Sequence, residues 1–299
     1  MAGGHVVPSN AQISIYMPTT RPGIPSAPAR SNLSRIRFFG QEFFLFSPDM
    51  TSLPTLLFVP GAWHSPESYR RVVDQLEAVG YASELVHLPS VGPAQHLPDF
   101  SRDVAHIRDH LQRLVAVGKK VVLVVHSYGG IPASEAVRGL DWDSRQRNGQ
   151  GGGVVHLFYC CSFIVPEGKS LLGAFGGIDL PWFNISEDRL EVTPDRPDEV
   201  FYNDMSEDDV RTAVSALRPH SYQTYQSPCT YAAWKDVPTT YLYCAQDAAI
   251  PLAVQRMMVE ELAAGYPIRT ELTDASHSPF YSKPTELALA IRRAAGEEI

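Results

Sequence analysis

Short, nearly unbroken apolar blocks recur along this chain, each followed by a stretch in which apolar residues return at helical intervals. Thr55–Val59, Val121–Val125, Val154–Cys161 and Thr240–Cys244 are such blocks. At strand length and without polar alternation, they read as strands buried on both faces. Behind Ser65-Pro66-Glu67, a helix-opening triplet, Tyr69, Val72, Val73 and Leu76 repeat at helical spacing, and Gly80 closes the helix. A second helix spans about residues 99–117, with Val104, Ile107, Leu111, Leu114 and Val115 on one face and Gly118 after it. Glu84–Leu88 and Ile268–Leu272 add strands, and residues 252–264 and 285–295 add helices. Strand and helix in alternation predict an α/β fold, with a mostly parallel central sheet covered by helices on both faces.

The alternation fails in places. Residues 1–30 are rich in Pro, Ser, Thr and Gly and read as an irregular arm. Residues 34–46 read as two strands about a turn near Gly40, and residues 141–153 as a polar, Gly-rich loop. Residues 166–237 carry many turn formers, aromatic and acidic side chains, and one helix near Glu207–Leu217 opened by Ser206. They read as a cap inserted between two strands. The expected organisation is an arm (1–30), a core (31–165 and 238–299) and a cap (166–237).

The chemistry centres on His126-Ser127-Tyr128-Gly129-Gly130, where a buried strand breaks and Ile131–Val137 resumes as helix. A Ser on a sharp strand-to-helix turn is lifted clear of the sheet edge as a nucleophile. A hydroxyl needs a base, and the base needs a group to orient it. His277, in the loop after the last strand, and Asp247, just past Cys244, supply both in the order Ser, acid, His. Glu167, after the preceding strand, is a rival acid. Acyl transfer also requires donors for an oxyanion. The backbone N–H of Tyr128 is one, and that of Ala62 in Pro60-Gly61-Ala62-Trp63-His64 is the other. Gly61 permits close backbone approach there, and Trp63 and His64 brace the loop.

With 299 residues and 44% hydrophobic content, the chain can bury one large core. A net charge of −8 without a basic stripe argues against nucleic acid as partner. The start lacks a secretory pattern, and no apolar run approaches the roughly 20 residues of a membrane helix, so a cytoplasmic protein is expected. Cys160, Cys161, Cys229 and Cys244 do not form a disulfide framework. Cys160 and Cys161, adjacent on a strand, should point to opposite faces. His106 and His110 lie four apart on one helix. Beside Arg102, Asp103, Arg108 and Asp109 they read as a solvated polar face, and no metal or cofactor is expected.

Gly61-Ala62-Trp63-His64, the contexts of Ser127, Asp247 and His277, and Leu217-Arg218-Pro219-His220-Ser221 resemble the plant methyl esterase and hydroxynitrile lyase group of α/β-hydrolases. The resemblance runs from about residue 54 to the C terminus. Pro60 stands where that group has His, and Val125 where a Gly is customary. The first fifty or so residues have no counterpart. The lyases carry a Lys after the His and a Thr in the first oxyanion loop, where Ser278 and Gly61 stand here. The resemblance therefore implies the esterase-type arrangement. The expected function is hydrolysis of a small to medium apolar ester or lactone through an acyl-enzyme. Trp63, His64, Trp182, Phe183 and Tyr222 are expected around the substrate, and a homodimer is left open. Cleavage of a carbon–carbon bond by a lyase- or cyclase-type enzyme, or a ligand receptor on a hydrolase frame, remain alternatives.

Overall fold

The computed structural model describes residues 33–38, 41–46 and 53–299, with side chains from residue 53 onward; the expected arm at 1–30 lies outside the described residues. The chain divides into two compact units, Met1–Ser52 and Leu53–Ile299. In the first, β1 (Leu33–Phe38) and β2 (Gln41–Phe46) pair antiparallel, while the expected turn near Gly40 lies outside the described residues. This hairpin, grouped with the core on sequence, falls in the first unit.

The second unit is built on β3 (Thr55–Val59), β4 (Ser83–Leu85), β5 (Lys120–His126), β6 (Gly153–Cys160), and two later strands, Thr239–Cys244 and Ile268–Thr273. They form one six-stranded sheet in which Ile268–Thr273 lies at one edge, followed by Thr239–Cys244, β6, β5, β3 and β4. Every pairing is parallel. All carboxyl ends therefore meet one rim, where ligands bind in open α/β sheets.

The absence of polar alternation in these strands has a direct cause. Leu57, Val59, Leu123 and Val125 enter one apolar cluster, while Leu56, Phe58, Val122 and Val124 enter another. Helix α1 (Arg70–Glu77) packs Val72, Val73 and Leu76 into the second cluster. Helices α2 (Ser101–Ala116) and α3 (Gly130–Ala136) pack Ile107, Leu111, Ile131 and Ala133 into the first. The terminal helix Pro284–Ala294 joins α1 through Leu287 and Ile291.

Several elements depart from expectation. The edge strand β4 ends at Leu85, three residues early, although Val86 N–H still donates to the Phe58 carbonyl at 3.0 Å. Helix α4 (Trp142–Arg147) occupies the expected polar loop. The Asp141 carboxylate caps it by accepting from Ser144 N–H at 2.7 Å, and it buries no side chain, so periodicity gave no sign of it. Residues 252–264 are α-helical only over Leu252–Met257 and then π-helical over Met258–Leu262, where the buried Met258 accepts from Ile164 N–H through sulfur at 3.4 Å. Asp103, expected on the solvated face of α2, is fully buried. Cys161 lies one residue past β6 with φ +34°, which turns its thiol back to 4.0 Å from that of Cys160 rather than to the opposite face. Among the described residues no helix is long and apolar enough to cross a membrane.

Between β6 and Thr239–Cys244 the chain makes α5 (Leu171–Ala174), β7 (Phe183–Ile185), β8 (Glu191–Pro194), α6 (Pro197–Phe201), α7 (Glu207–Ala216) and β9 (His220–Ser221). Strands β7, β8 and β9 form a small antiparallel sheet. Ser206 caps α7 by accepting from Asp209 N–H.

A glycine is needed where β5 turns into α3. A Cβ on Gly129 would stand 2.3 Å from the Pro60 carbonyl oxygen, and Gly151 has open space around it. Gly129→Ala should lower stability by about 1–3 kcal/mol, whereas Gly151→Ala should be near neutral, as read from urea unfolding midpoints.

Candidate active site

Ser127 follows β5 directly and has φ +49°, a left-handed backbone that L residues rarely adopt. Its carbonyl is fixed by Phe163 N–H at 3.1 Å and the Ser162 hydroxyl at 2.7 Å. The side chain is thereby turned off the strand toward the rim. The close packing reaches the next loop. A Cβ on Gly61 would lie 2.8 Å from both Ser127 Cβ and His126 Nδ1, so only glycine lets the Pro60–His64 loop pass so near the hydroxyl.

Asp247 and His277 extend from the loops after the two later sheet strands. The His277 Nδ1–H donates to Asp247 Oδ2 at 2.8 Å, which leaves Nε2 to accept from the Ser127 hydroxyl at 3.0 Å. All three residues are buried, none more than 5% exposed. Asp247 is itself held on both oxygens. Oδ1 accepts from the N–H groups of Ala249 and Ile250, and Oδ2 also meets Gln255 Nε2 at 3.4 Å. Gln255 clamps this loop to the strand end, exchanging hydrogen bonds with the Cys244 backbone and donating to the Ile250 carbonyl. Glu167, the rival acid, is engaged elsewhere: it accepts from Ala232 N–H and pairs with Lys235 at 3.4 Å.

The His277 loop is fixed from two sides. Its carbonyl accepts from His126 Nε2–H at 2.8 Å and from the Cys161 thiol at 3.4 Å. Next to it, Ser276 donates its N–H to Asp204 and its hydroxyl to the Phe201 carbonyl. These last two partners lie in the inserted segment.

The Pro60–His64 loop is braced as expected. His64 Nδ1–H donates to the Ala62 carbonyl at 2.8 Å, and the Tyr202 hydroxyl donates to His64 Nε2 at 2.9 Å. The Trp63 indole donates to the Val192 carbonyl at 2.9 Å, while its own carbonyl accepts from Arg218 N–H. The backbone N–H groups of Ala62 and Tyr128 donate to no other described residue.

Beside Ser127 lies a narrow apolar cavity. Trp63, Trp182 and Phe183, expected around the substrate, line it together with Ala62 and Tyr128, and Phe163, Leu171, Leu180, Tyr225 and Ile250 complete most of the wall. No charged side chain faces it among the described residues. His64 and Tyr222, expected around the substrate, are not in the wall. His64 sits behind the loop on Tyr202, and the Tyr222 hydroxyl donates to Asp179 at 2.5 Å. The missed residues could have been anticipated only in part. Phe163 and Ile250 follow strand ends closely, but Leu171, Leu180 and Gln255 carry no local signal.

The chain is similar to several known proteins. A model of the alpha/beta hydrolase family matches residues 56–290. An alpha/beta hydrolase of Aspergillus novofumigatus is 35% identical over 250 residues, covering 82% of this chain and 98% of its own. Methylesterase 7 of Arabidopsis thaliana is 26% identical over 262 residues, covering 80% and 95%. The crystal structure of a pyrethroid hydrolase from Sphingobium faniae superposes with a TM-score of 0.64 at 23% identity, covering 83% of this chain and 99% of that one.

The site's surroundings contain several buried neutral imidazoles. Burial pulls His64 down to about 4 and His220 to about 3, and takes His126 well below its ordinary value. In the unfolded chain each protonates near 6.5. Between those values the unfolded state binds more protons than the folded one, so stability falls as pH drops from 6.5 toward 4. One histidine shifted this far contributes up to about 3 kcal/mol across that window. The urea midpoint should therefore be clearly lower at pH 5 than at pH 7; equal midpoints would contradict the neutral assignments.

Proposed function

The chain belongs to the alpha/beta hydrolase family, and from that membership we propose that it is a cofactor-independent serine hydrolase cleaving a carboxylic ester or lactone of a small to medium apolar substrate. The observation that carries this reading is the unbroken hydrogen-bonded line from Asp247 through His277 to Ser127 at the wall of an apolar cavity.

In this mechanism Ser127 Oγ attacks the ester carbonyl while His277 Nε2 takes its proton. Asp247 holds the ring in the tautomer that leaves Nε2 free, and it stabilises the imidazolium that forms. The N–H groups of Ala62 and Tyr128 donate to the developing oxyanion, one of them at the start of the elbow helix. His277 then protonates the departing alcohol. Water attacks the acyl-enzyme by the reverse route, with His277 as base.

Substrate class follows from the wall. Aromatic and aliphatic side chains line the cavity beside the hydroxyl, with no cation among the described residues to receive a carboxylate or cyanide. That favours an uncharged ester over an acid, and hydrolysis over the lyase reaction. Five of the wall residues named above, Leu171, Leu180, Trp182, Phe183 and Tyr225, come from residues 166–237, supporting the role of that segment as a cap. Relatives named as a methylesterase and a pyrethroid hydrolase support an ester as substrate.

Ser127→Ala should lower kcat on p-nitrophenyl acetate by roughly a thousandfold or more with an unchanged melting temperature. Turnover at the wild-type rate would end the proposal. Across p-nitrophenyl esters from acetyl to decanoyl, kcat/KM should fall as the acyl chain outgrows the cavity.

A further inference from the structure

Helix α2 presents an apolar face of Ile107, Leu111 and Val115 to the sheet, yet Asp103, one turn earlier on that face, is a carboxylate with no exposed surface. Burial pushes its carboxyl above the usual range, which marks how unfavourable the position is for charge. Its partners among the described residues are two. Oδ1 accepts from Ser90 N–H at 2.9 Å, and Oδ2 accepts from the Tyr128 hydroxyl at 2.7 Å.

Tyr128 is the residue after the nucleophile, and its backbone N–H is a donor to the oxyanion in the mechanism above. Its ring is gripped edge-on by His220 at 4.7 Å and Tyr225 at 5.4 Å. The far end of the ring donates to Asp103 on α2, with the Thr224 side chain also against the hydroxyl, and Asp103 in turn ties it to the loop before α2 through Ser90. That loop is tied in turn to the inserted segment: the Ser90 hydroxyl meets His220 Nε2 at 2.9 Å, and the Ser90 carbonyl accepts from Ser221 N–H at 3.0 Å. A rigid line thus runs from β9 through Ser90 and Asp103 to the phenol whose own peptide faces the reacting carbonyl.

A buried carboxylate is a poor way to fill an apolar helix face. Leu or Ile at that position would satisfy packing. What the carboxylate adds is a directed bond to one hydroxyl. Oxyanion stabilisation depends on donors already aimed before charge develops, and a tether on the Tyr128 ring restrains the torsions of its backbone.

We propose that Asp103 is a positioning residue for the acyl-transfer step, holding the Tyr128 peptide N–H toward the oxyanion through its bond to the Tyr128 phenol; this rests on the Ser127 hydrolase reading. Tyr128→Phe removes the bond with the smallest change in volume, and Asp103→Asn keeps the shape while replacing an acceptor oxygen by an amide.

The experiment measures kcat and KM on p-nitrophenyl acetate, the affinity of an alkyl boronic acid that forms a tetrahedral adduct, and the melting temperature. Both variants should lose about tenfold in kcat with KM changed less than twofold, and boronate affinity should fall by the same factor. The double variant should lose no more than the worse single one, because both act through one bond. If Tyr128→Phe melts lower but keeps wild-type kcat and boronate affinity, Asp103 is a structural anchor and the proposal is overturned. Should Asp103→Asn fail to fold, Tyr128→Phe decides alone. Undiminished activity in Ser127→Ala would instead remove the hydrolase reading on which the proposal stands.

Discussion

The site depends on one crowded junction, where β5 ends and the chain must reverse into α3 while the loop after β3 passes within van der Waals contact. Three features make that passage feasible. Ser127 takes a left-handed backbone, Gly61 removes the side chain that would strike it, and Gly129 removes the one that would strike the Pro60 carbonyl. Left-handed backbone at a non-glycine residue stores strain, and it persists only where surroundings over-determine it. Here two hydrogen bonds to the Ser127 carbonyl and close packing on the neighbouring loop do so. The strained turn and the placement of the hydroxyl at the rim are one feature.

Around that junction, the histidine is placed by its backbone as much as by its side chain. His126, the residue before Ser127, donates to the His277 carbonyl, so the strand that carries Ser127 directly fixes the His277 loop. Gln255 does the equivalent for Asp247. The inserted segment adds a second set of ties through Tyr202, Asp204 and Arg218 to the loops of Ala62 and His277. The segment that walls the cavity is also the one that steadies the reacting groups. Changes in its sequence are therefore expected to alter substrate range and rate together.

Much of this was legible in the residues. Uninterrupted apolar blocks gave the parallel sheet because strands covered on both faces need no polar alternation, and strand ends located Ser127, Asp247 and His277 on one rim. The failures share a cause. Asp103 looked like part of a charged helix face because its neighbours Arg102 and Asp109 are exposed, and only the partner Tyr128, 25 residues away, explains its burial. Cys161 was placed by strand alternation, which a single residue with φ +34° cancels. Tyr222 and His64 were taken as substrate contacts from residue type, but each spends its polar atoms on protein partners. Long-range polar pairing carries no periodic signature, and those are the details that sequence left open.

The central claim is that His277 activates Ser127, and the rate at which a fluorophosphonate labels Ser127 tests it most directly. Peptide mapping should place the label on Ser127 in the wild type, with labelling slowed by orders of magnitude in His277→Ala. A label found on another residue, or an equal rate in the two proteins, would contradict the account.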